Sequence, residues 1–222
     1  LENVESLVLP EILGAYPMTF LEWLREIGIT FFGAPCTGKT TAAENLAVNY
    51  LRDYQGAPLM VVRDVGQMMR DIHAEDPTRF AQLSSGELVD SGEILALVDS
   101  IVARARREGQ GIIFTGQPRK PEEAEYFLQR SYVNVVFYLH APEKLLIKRA
   151  LKRDRPDDNS LAKIRNRIRV YKEETKPILR FFEDQGLRIK KIDATRSREE
   201  VDRMVMNHLI EEYQRTIRAI AS

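Results

Sequence analysis

The segment Gly33-Ala34-Pro35-Cys36-Thr37-Gly38-Lys39-Thr40 matches the pattern G-x-x-x-x-G-K-[ST]. It follows the apolar run Ile29-Thr30-Phe31-Phe32, which reads as a buried strand. It precedes Ala43, Leu46, Ala47, Tyr50 and Leu51, which share one face at helical spacing. A strand, this loop and a helix in that order constrain the chain more than any other feature. The glycines let the backbone curl so that several N–H groups converge, and the helix adds the positive end of its dipole. Such a loop is built for a phosphate. Lys39 would put its ammonium near the β- and γ-phosphates of a nucleoside triphosphate, and the Thr40 hydroxyl can ligate Mg²⁺. Gly33, Ala34, Pro35, Cys36, Thr37, Gly38, Lys39, Thr40 and the adjoining Thr41 are the expected nucleotide contacts.

The rest of the chain repeats the alternation. Leu59 to Val62, Ile112 to Phe114, Val133 to Leu139 and Leu187 to Ile192 read as further strands. Ile94, Leu97, Val98, Ile101, Val102 and Ala105 form an apolar stripe, predicting a helix over 92–108 that Gly109 and Gly111 end. Pro142 opens a helix through Leu151. A basic helix follows from about Leu161, which Pro177 kinks or ends, and Ser197 to Ile217 is a last helix. Strands alternating with helices imply an α/β fold with a parallel sheet covered on both faces. Two segments break the rhythm: 53–91, expected as an inserted subdomain, and the charged loop 153–160. Residues 1–27 read as a helical extension whose Phe20 and Trp23 pack on the body.

Composition narrows the partners. Lys and Arg total 33 and Asp and Glu total 33, so the chain is not a general binder of nucleic acid. The charge is nonetheless segregated: from Lys144 to Lys172, eleven basic residues stand against three aspartates. Cys36 is the only cysteine, which excludes an internal disulfide and a cysteine-rich zinc site and fits a reducing cytoplasm. No stretch approaches the roughly 20 apolar residues of a membrane span, and Leu1 to Glu5 lack a secretory signal's character. The start at Leu1 fits a processed form or a domain of a larger protein. His73, His140 and His208 form no ligand pattern and read as structural.

An ordered series of motifs over about 28–210 resembles the adenylate kinase and nucleoside monophosphate kinase family. Gly33-Ala34-Pro35 with Gly38-Lys39 is similar to its G-x-P-G-x-G-K-G-T loop, with Cys36 and Thr40 replacing two glycines. Gly66-Gln67-Met68-Met69-Arg70 resembles its S-T-G-D-x-[LM]-R motif, and Gly86 to Ile94 its G-x-L-V-x-D-E-[LIV] stretch. Gly116-Gln117-Pro118-Arg119 resembles D-G-F-P-R. Arg149 and Arg153 stand at R-x-x-x-R spacing, and Arg155-Pro156-Asp157-Asp158 resembles R-x-D-D. Arg165 and Arg167 precede Tyr171, Thr175 and Pro177 as in the family's Y-x-x-x-T-x-P, and Ile192 to Thr195 resembles the turn beside the donor adenine.

The resemblance implies a P-loop three-layer sandwich around a five-stranded parallel sheet, with a monophosphate-binding insert and a short lid. The single cysteine excludes the longer, zinc-bearing lid of some relatives. It implies ATP with Mg²⁺ held at Thr40, a nucleoside monophosphate as acceptor and a monomer. Gly66, Arg70, Val89, Gly116, Arg119 and Glu123 would bind the acceptor. Arg153, Arg155 and Arg167 would close over the transferred group, with Arg155 and Arg167 also touching substrate, and Arg149 and Ala194 would lie beside the donor base. Lys39, Arg119, Arg153, Arg155 and Arg167 would be catalytic. Guanidinium suits this task because it is always charged and bidentate to phosphate.

Three departures stand out. Thr115 takes the place of the strand-end Asp that anchors hydrated Mg²⁺, so Asp193, Asp157 or another carboxylate would have to substitute. Val65 replaces a threonine near the acceptor base. Glu123 replaces the glutamine of AMP-specific relatives; it either meets the base, as an acceptor only, or points to solvent. These departures leave two other readings beside a kinase for nucleoside monophosphates: a catalytically weak nucleotide-binding module, or a P-loop kinase for another small acceptor.

Overall fold

The computed structural model describes residues 18–80, 89–153 and 160–221. Five strands form one parallel sheet: β1 (Gly28–Phe32), β2 (Met60–Asp64), β3 (Gly111–Thr115), β4 (Val135–His140) and β5 (Ile189–Asp193), in the spatial order β2-β3-β1-β4-β5. The helices, in chain order among the described residues, are α1 (Phe20–Glu26), α2 (Lys39–Asn45), α3 (Val65–Glu75), α4 (Ser91–Arg107), α5 (Pro121–Gln129), α6 (Glu143–Ala150), α7 (Leu161–Val170), α8 (Pro177–Asp184) and α9 (Arg198–Ala221).

Strand periodicity sorts the apolar residues into two cores. Ile29, Phe31, Ile113, Val135, Phe137 and Leu139 face one side and bury Trp23, Leu46 and Leu209 of the helical segments around α1, α2 and α9. Phe32, Ile112, Phe114 and Val136 face the other side and bury Val98 of α4, Phe127 of α5 and Phe182 of α8. Both faces of β1 and β3 are covered, which is why these strands read as unbroken apolar runs. A third, smaller cluster joins Ala34 of the loop to Leu146 and Ala150 of α6 and Ile164 and Ile168 of α7. It fixes the basic helices against the phosphate loop.

The expected layers and parallel sheet are present, with some shifts. β2 lies inside the span 53–91 expected as an insert, yet it pairs with β3 from Met60↔Gly111 to Asp64↔Thr115. As an edge strand it ends on Arg63 and Asp64, so its apolar signal is short. Two helices widen into π turns: α2 runs on into Leu46–Tyr50, and α7 into Tyr171–Thr175. Pro177 then takes the first position of α8, so the break expected there begins a turn earlier. Gly86 to Leu88 and residues 154–159 of the loop expected as a lid, which include Arg155, Asp157 and Asp158, lie outside the described residues.

α1 is tied into the body. Thr19 and Glu22 cap it reciprocally. Trp23 is buried and meets Phe20 and Tyr213 of α9, at ring-centroid distances of 5.9 and 5.6 Å. The Tyr213 hydroxyl donates to the Met18 carbonyl at 3.0 Å. Trp23→Ala is therefore expected to cost about 3–5 kcal/mol of unfolding free energy. Urea denaturation would check this; a loss under about 1 kcal/mol would show that α1 merely rests on the surface.

Candidate active site

Parallel strands all point their carboxyl ends to the same edge of the sheet. From β1 the chain moves to one side for β2 and β3, then crosses to the other for β4 and β5. The crevice outside the end of β1 is thus a topological switch point, where open α/β sheets bind ligands. The phosphate loop occupies it. Gly33 has φ +150°, and a Cβ there would sit 2.5 Å from the Leu139 carbonyl oxygen, so only glycine lets the loop leave β1 this closely. Gly38 is left-handed and launches α2. Cys36 also adopts a positive φ, 64°, at one of the positions where the family pattern carries glycine. The Thr37 hydroxyl closes the loop by donating to the Ala34 carbonyl at 2.9 Å.

Lys39 is half-buried, and its ammonium folds back over the loop, donating to the carbonyls of Gly33 (2.6 Å) and Ala34 (3.0 Å). Burial, with Arg119 adding to it, lowers its pKa to about 7; Asp64 and Cys36 favour the charge, while Arg167 opposes it. The Lys39 ammonium rests on neutral carbonyls, so an incoming phosphate would favour its charged form.

The second half of the site gathers around Gly66, the second residue of α3. A Cβ at Gly66 would lie 2.8 Å from Arg119 Nη2, 3.3 Å from Asp64 Oδ1 and 3.7 Å from Arg70 Nη1. Two guanidinium groups, from α3 and from the turn after β3, therefore converge where a side chain is missing. Arg119 is held by its Nε–H on the Gly116 carbonyl at 2.7 Å, and Arg70 by the Gln67 side-chain oxygen at 2.8 Å. Burial works against the Arg119 charge and Arg167 adds to that, whereas Glu123 and Asp64 support it. Glu123 is buried, which removes the solvent alternative. One carboxylate oxygen accepts from the Arg119 backbone N–H at 2.7 Å and the other faces the Ser91 hydroxyl at 3.3 Å. Burial raises its pKa. Its place in the structure is the Arg119 turn. Val89 is buried in the second core, with its carbonyl bonded by Lys120, and Val65 is buried in the same core.

On the far side of the loop, Arg149 Nη2 donates to the Ala194 carbonyl at 2.8 Å, joining two residues 45 positions apart. Arg167, on α7, lies within electrostatic reach of both Lys39 and Arg119. Arg153 is exposed just after α6, and no described contact brings it to the loop.

A family model described as adenylate kinase matches residues 31–187, which contain the loop, both arginine turns and the basic helices. The chain belongs to the adenylate kinase family. Similar proteins include adenylate kinase 1 of Synechocystis sp., 33% identical over 169 residues (72% of this chain and 84% of that protein). The adenylate kinase of Prochlorococcus marinus is 33% identical over 179 residues (76% and 90%). That of Synechococcus sp. is 33% identical over 180 residues (78% and 93%).

Beside these groups the structure places two residues that had no assigned role: Asp64, which no motif names, and Gln67, which the Gly66 motif contains. Asp64 ends β2, and its Oδ2 accepts the Thr40 hydroxyl at 3.1 Å. Gln67 orients Arg70. A signal for Asp64 exists in principle: a polar residue closing a strand directly before Gly66. It is hidden because the apolar run of β2 ends at Val62. Asp193, considered as a substitute for the missing strand-end acid, ends β5 and is occupied by Thr195, whose N–H and hydroxyl it accepts at 3.0 and 2.7 Å.

The depressed Lys39 pKa has a measurable consequence. Above pH 7 the free protein holds Lys39 increasingly neutral, whereas a bound phosphate favours the ammonium. Nucleotide binding between pH 7 and the ordinary lysine pKa should therefore take up a proton. At pH 8, calorimetry of ATP binding in two buffers of different ionisation enthalpy should show uptake approaching about one proton, absent in Lys39→Met. Equal proton counts in the two proteins would contradict the assignment.

Proposed function

We propose that this chain transfers the γ-phosphoryl group of ATP to a nucleoside monophosphate, with AMP as its acceptor, giving two nucleoside diphosphates. One observation carries this reading: the Arg119 and Arg70 guanidinium groups converge at Gly66, and Lys39 of the phosphate loop lies in electrostatic reach of Arg119, with Arg167 in reach of both Lys39 and Arg119. A hydrolase of one nucleotide needs only the loop; a second cationic cradle suits a second phosphate. Relatives named adenylate kinase support AMP as the acceptor.

The division of labour follows from position. The loop N–H groups and the start of α2 hold the triphosphate, and Lys39 moves from its carbonyls to the β/γ oxygens. Arg70 and Arg119 hold the acceptor monophosphate, and Arg119 with Arg167 faces the charge that spreads over the moving group. Arg149, pinned to Ala194, borders the donor base. Thr40 would hold Mg²⁺, which would supply charge neutralisation on the phosphates. Arg155, and Arg153 beside it, would complete the enclosure that excludes water. A single free thiol in the loop suits a reducing cytoplasm.

Coupled ADP-release assays over AMP, GMP, CMP and UMP test the reading directly. AMP should give the fastest turnover; ATP binding without monophosphate-dependent turnover would refute it. Lys39→Ala should lower kcat by about 10²–10³ or more, as removal of a single electrostatic donor does elsewhere. Its melting temperature should move little, because the hydrogen bonds it removes run to two carbonyls of the same loop. A comparable loss of stability would point to a structural lysine instead.

A further inference from the structure

We propose that Asp64, at the end of β2, is the carboxylate that anchors the nucleotide-bound Mg²⁺, a task moved one strand over from β3. This rests on the phosphoryl-transfer reading for its role, though not for its test. P-loop proteins hold the metal between the loop's Ser or Thr and an acid at a strand end. Here β3 ends on Thr115, which is buried and uncharged. The register places Asp64 directly beside it, Asp64↔Thr115, on the adjoining strand. Thr40 sees both: its hydroxyl donates to Asp64 Oδ2 at 3.1 Å and lies 3.4 Å from the Thr115 hydroxyl. The carboxylate is already oriented, because its other oxygen caps α3 by accepting the Gln67 N–H at 2.9 Å. One oxygen thus fixes the group while the other faces the loop's metal ligand. Mg²⁺ needs little more from a protein: one or two carboxylates or hydroxyls, the rest being phosphate oxygens and water. The residues fit the ion. Asp64 also stands between cations, within electrostatic reach of Lys39 and Arg119, so its charge is compensated when no metal is bound.

The competing explanation is a helix cap and nothing else. Asp64→Asn separates the two, because asparagine caps as well as aspartate but carries no charge. Calorimetry would compare ATP binding with and without Mg²⁺ in wild type and variant. The expected result is that Asp64→Asn binds metal-free ATP at least as tightly as wild type, but loses about tenfold or more of the affinity that Mg²⁺ adds. Wild-type Mg²⁺ dependence in Asp64→Asn would overturn the proposal. A second measurement needs no variant. With Mn²⁺·ATP bound to wild-type protein whose aspartate carboxyls are ¹³C-labelled, the Asp64 signal should broaden most strongly. Broadening centred on Asp193, with Asp64 unaffected, would overturn the assignment. Both experiments read binding alone, so a protein that turns over no monophosphate would refute the reaction while leaving this result intact.

Discussion

The parallel register of three strands sets everything else. Phe31 of β1 pairs with Thr115 of β3, and Thr115 with Asp64 of β2, so one row across the sheet ends β2 and β3 and lies one residue before the end of β1. The phosphate loop, the Arg119 turn and the Gly66 turn each leave the sheet at or next to that row. Their side chains then meet without any long loop having to be ordered, which keeps the entropic cost of assembling the site small. The buried alternation of Ile29, Phe31 and Phe32 with Ile112, Ile113 and Phe114 pins the register, because a slip of one residue would exchange both cores.

Neutral total charge conceals a sorted one, and the structure separates half-buried charges from surface ones within the basic stretch. Lys172 pairs with Glu143 at 2.6 Å and Arg169 with Glu173, both at exposed positions where such pairs contribute little to stability. Arg149 and Arg167 behave differently. They are half-buried, one bonded to a backbone carbonyl and the other facing Lys39 and Arg119. Lys39, Arg119 and Arg167 thus keep three cations close together, with Asp64 acting on the first two. Bringing like charges together under burial is unfavourable, and a polyanion would relieve it. That is the physical reason a nucleotide pair suits this space.

Most of the fold is legible in the sequence because it follows from local chemistry. The G-x-x-x-x-G-K-[ST] loop announces its own strand and helix, and the stripe from Ile94 to Ala105 announces α4. What stays hidden depends on distant partners. β2 is half polar: its apolar run, read from Leu59 to Val62, stops short of Arg63 and Asp64, which join the strand only by pairing with β3. The π turns at Leu46–Tyr50 and Tyr171–Thr175 leave no mark in apolar spacing. Glu123 sits in an acidic run that reads as a solvated face, yet the Arg119 N–H draws it inside. Asp64 is the instructive case: its role depends on Thr40 lying 24 residues away, a contact that only the sheet creates.

The central claim is that one loop and one arginine pair hold two nucleotides end to end. A crystal structure with a bisubstrate analogue, two adenosines joined through their phosphates, tests it most directly. The phosphate chain should run from the N–H groups of Gly33 to Thr41, past Lys39 released from its carbonyls, to Arg70 and Arg119 over Gly66. One adenine should lie beside Arg149 and Ala194. A chain seated on the loop alone, with Arg70 and Arg119 still on Gln67 and Gly116 and the second nucleoside in solvent, would contradict the account.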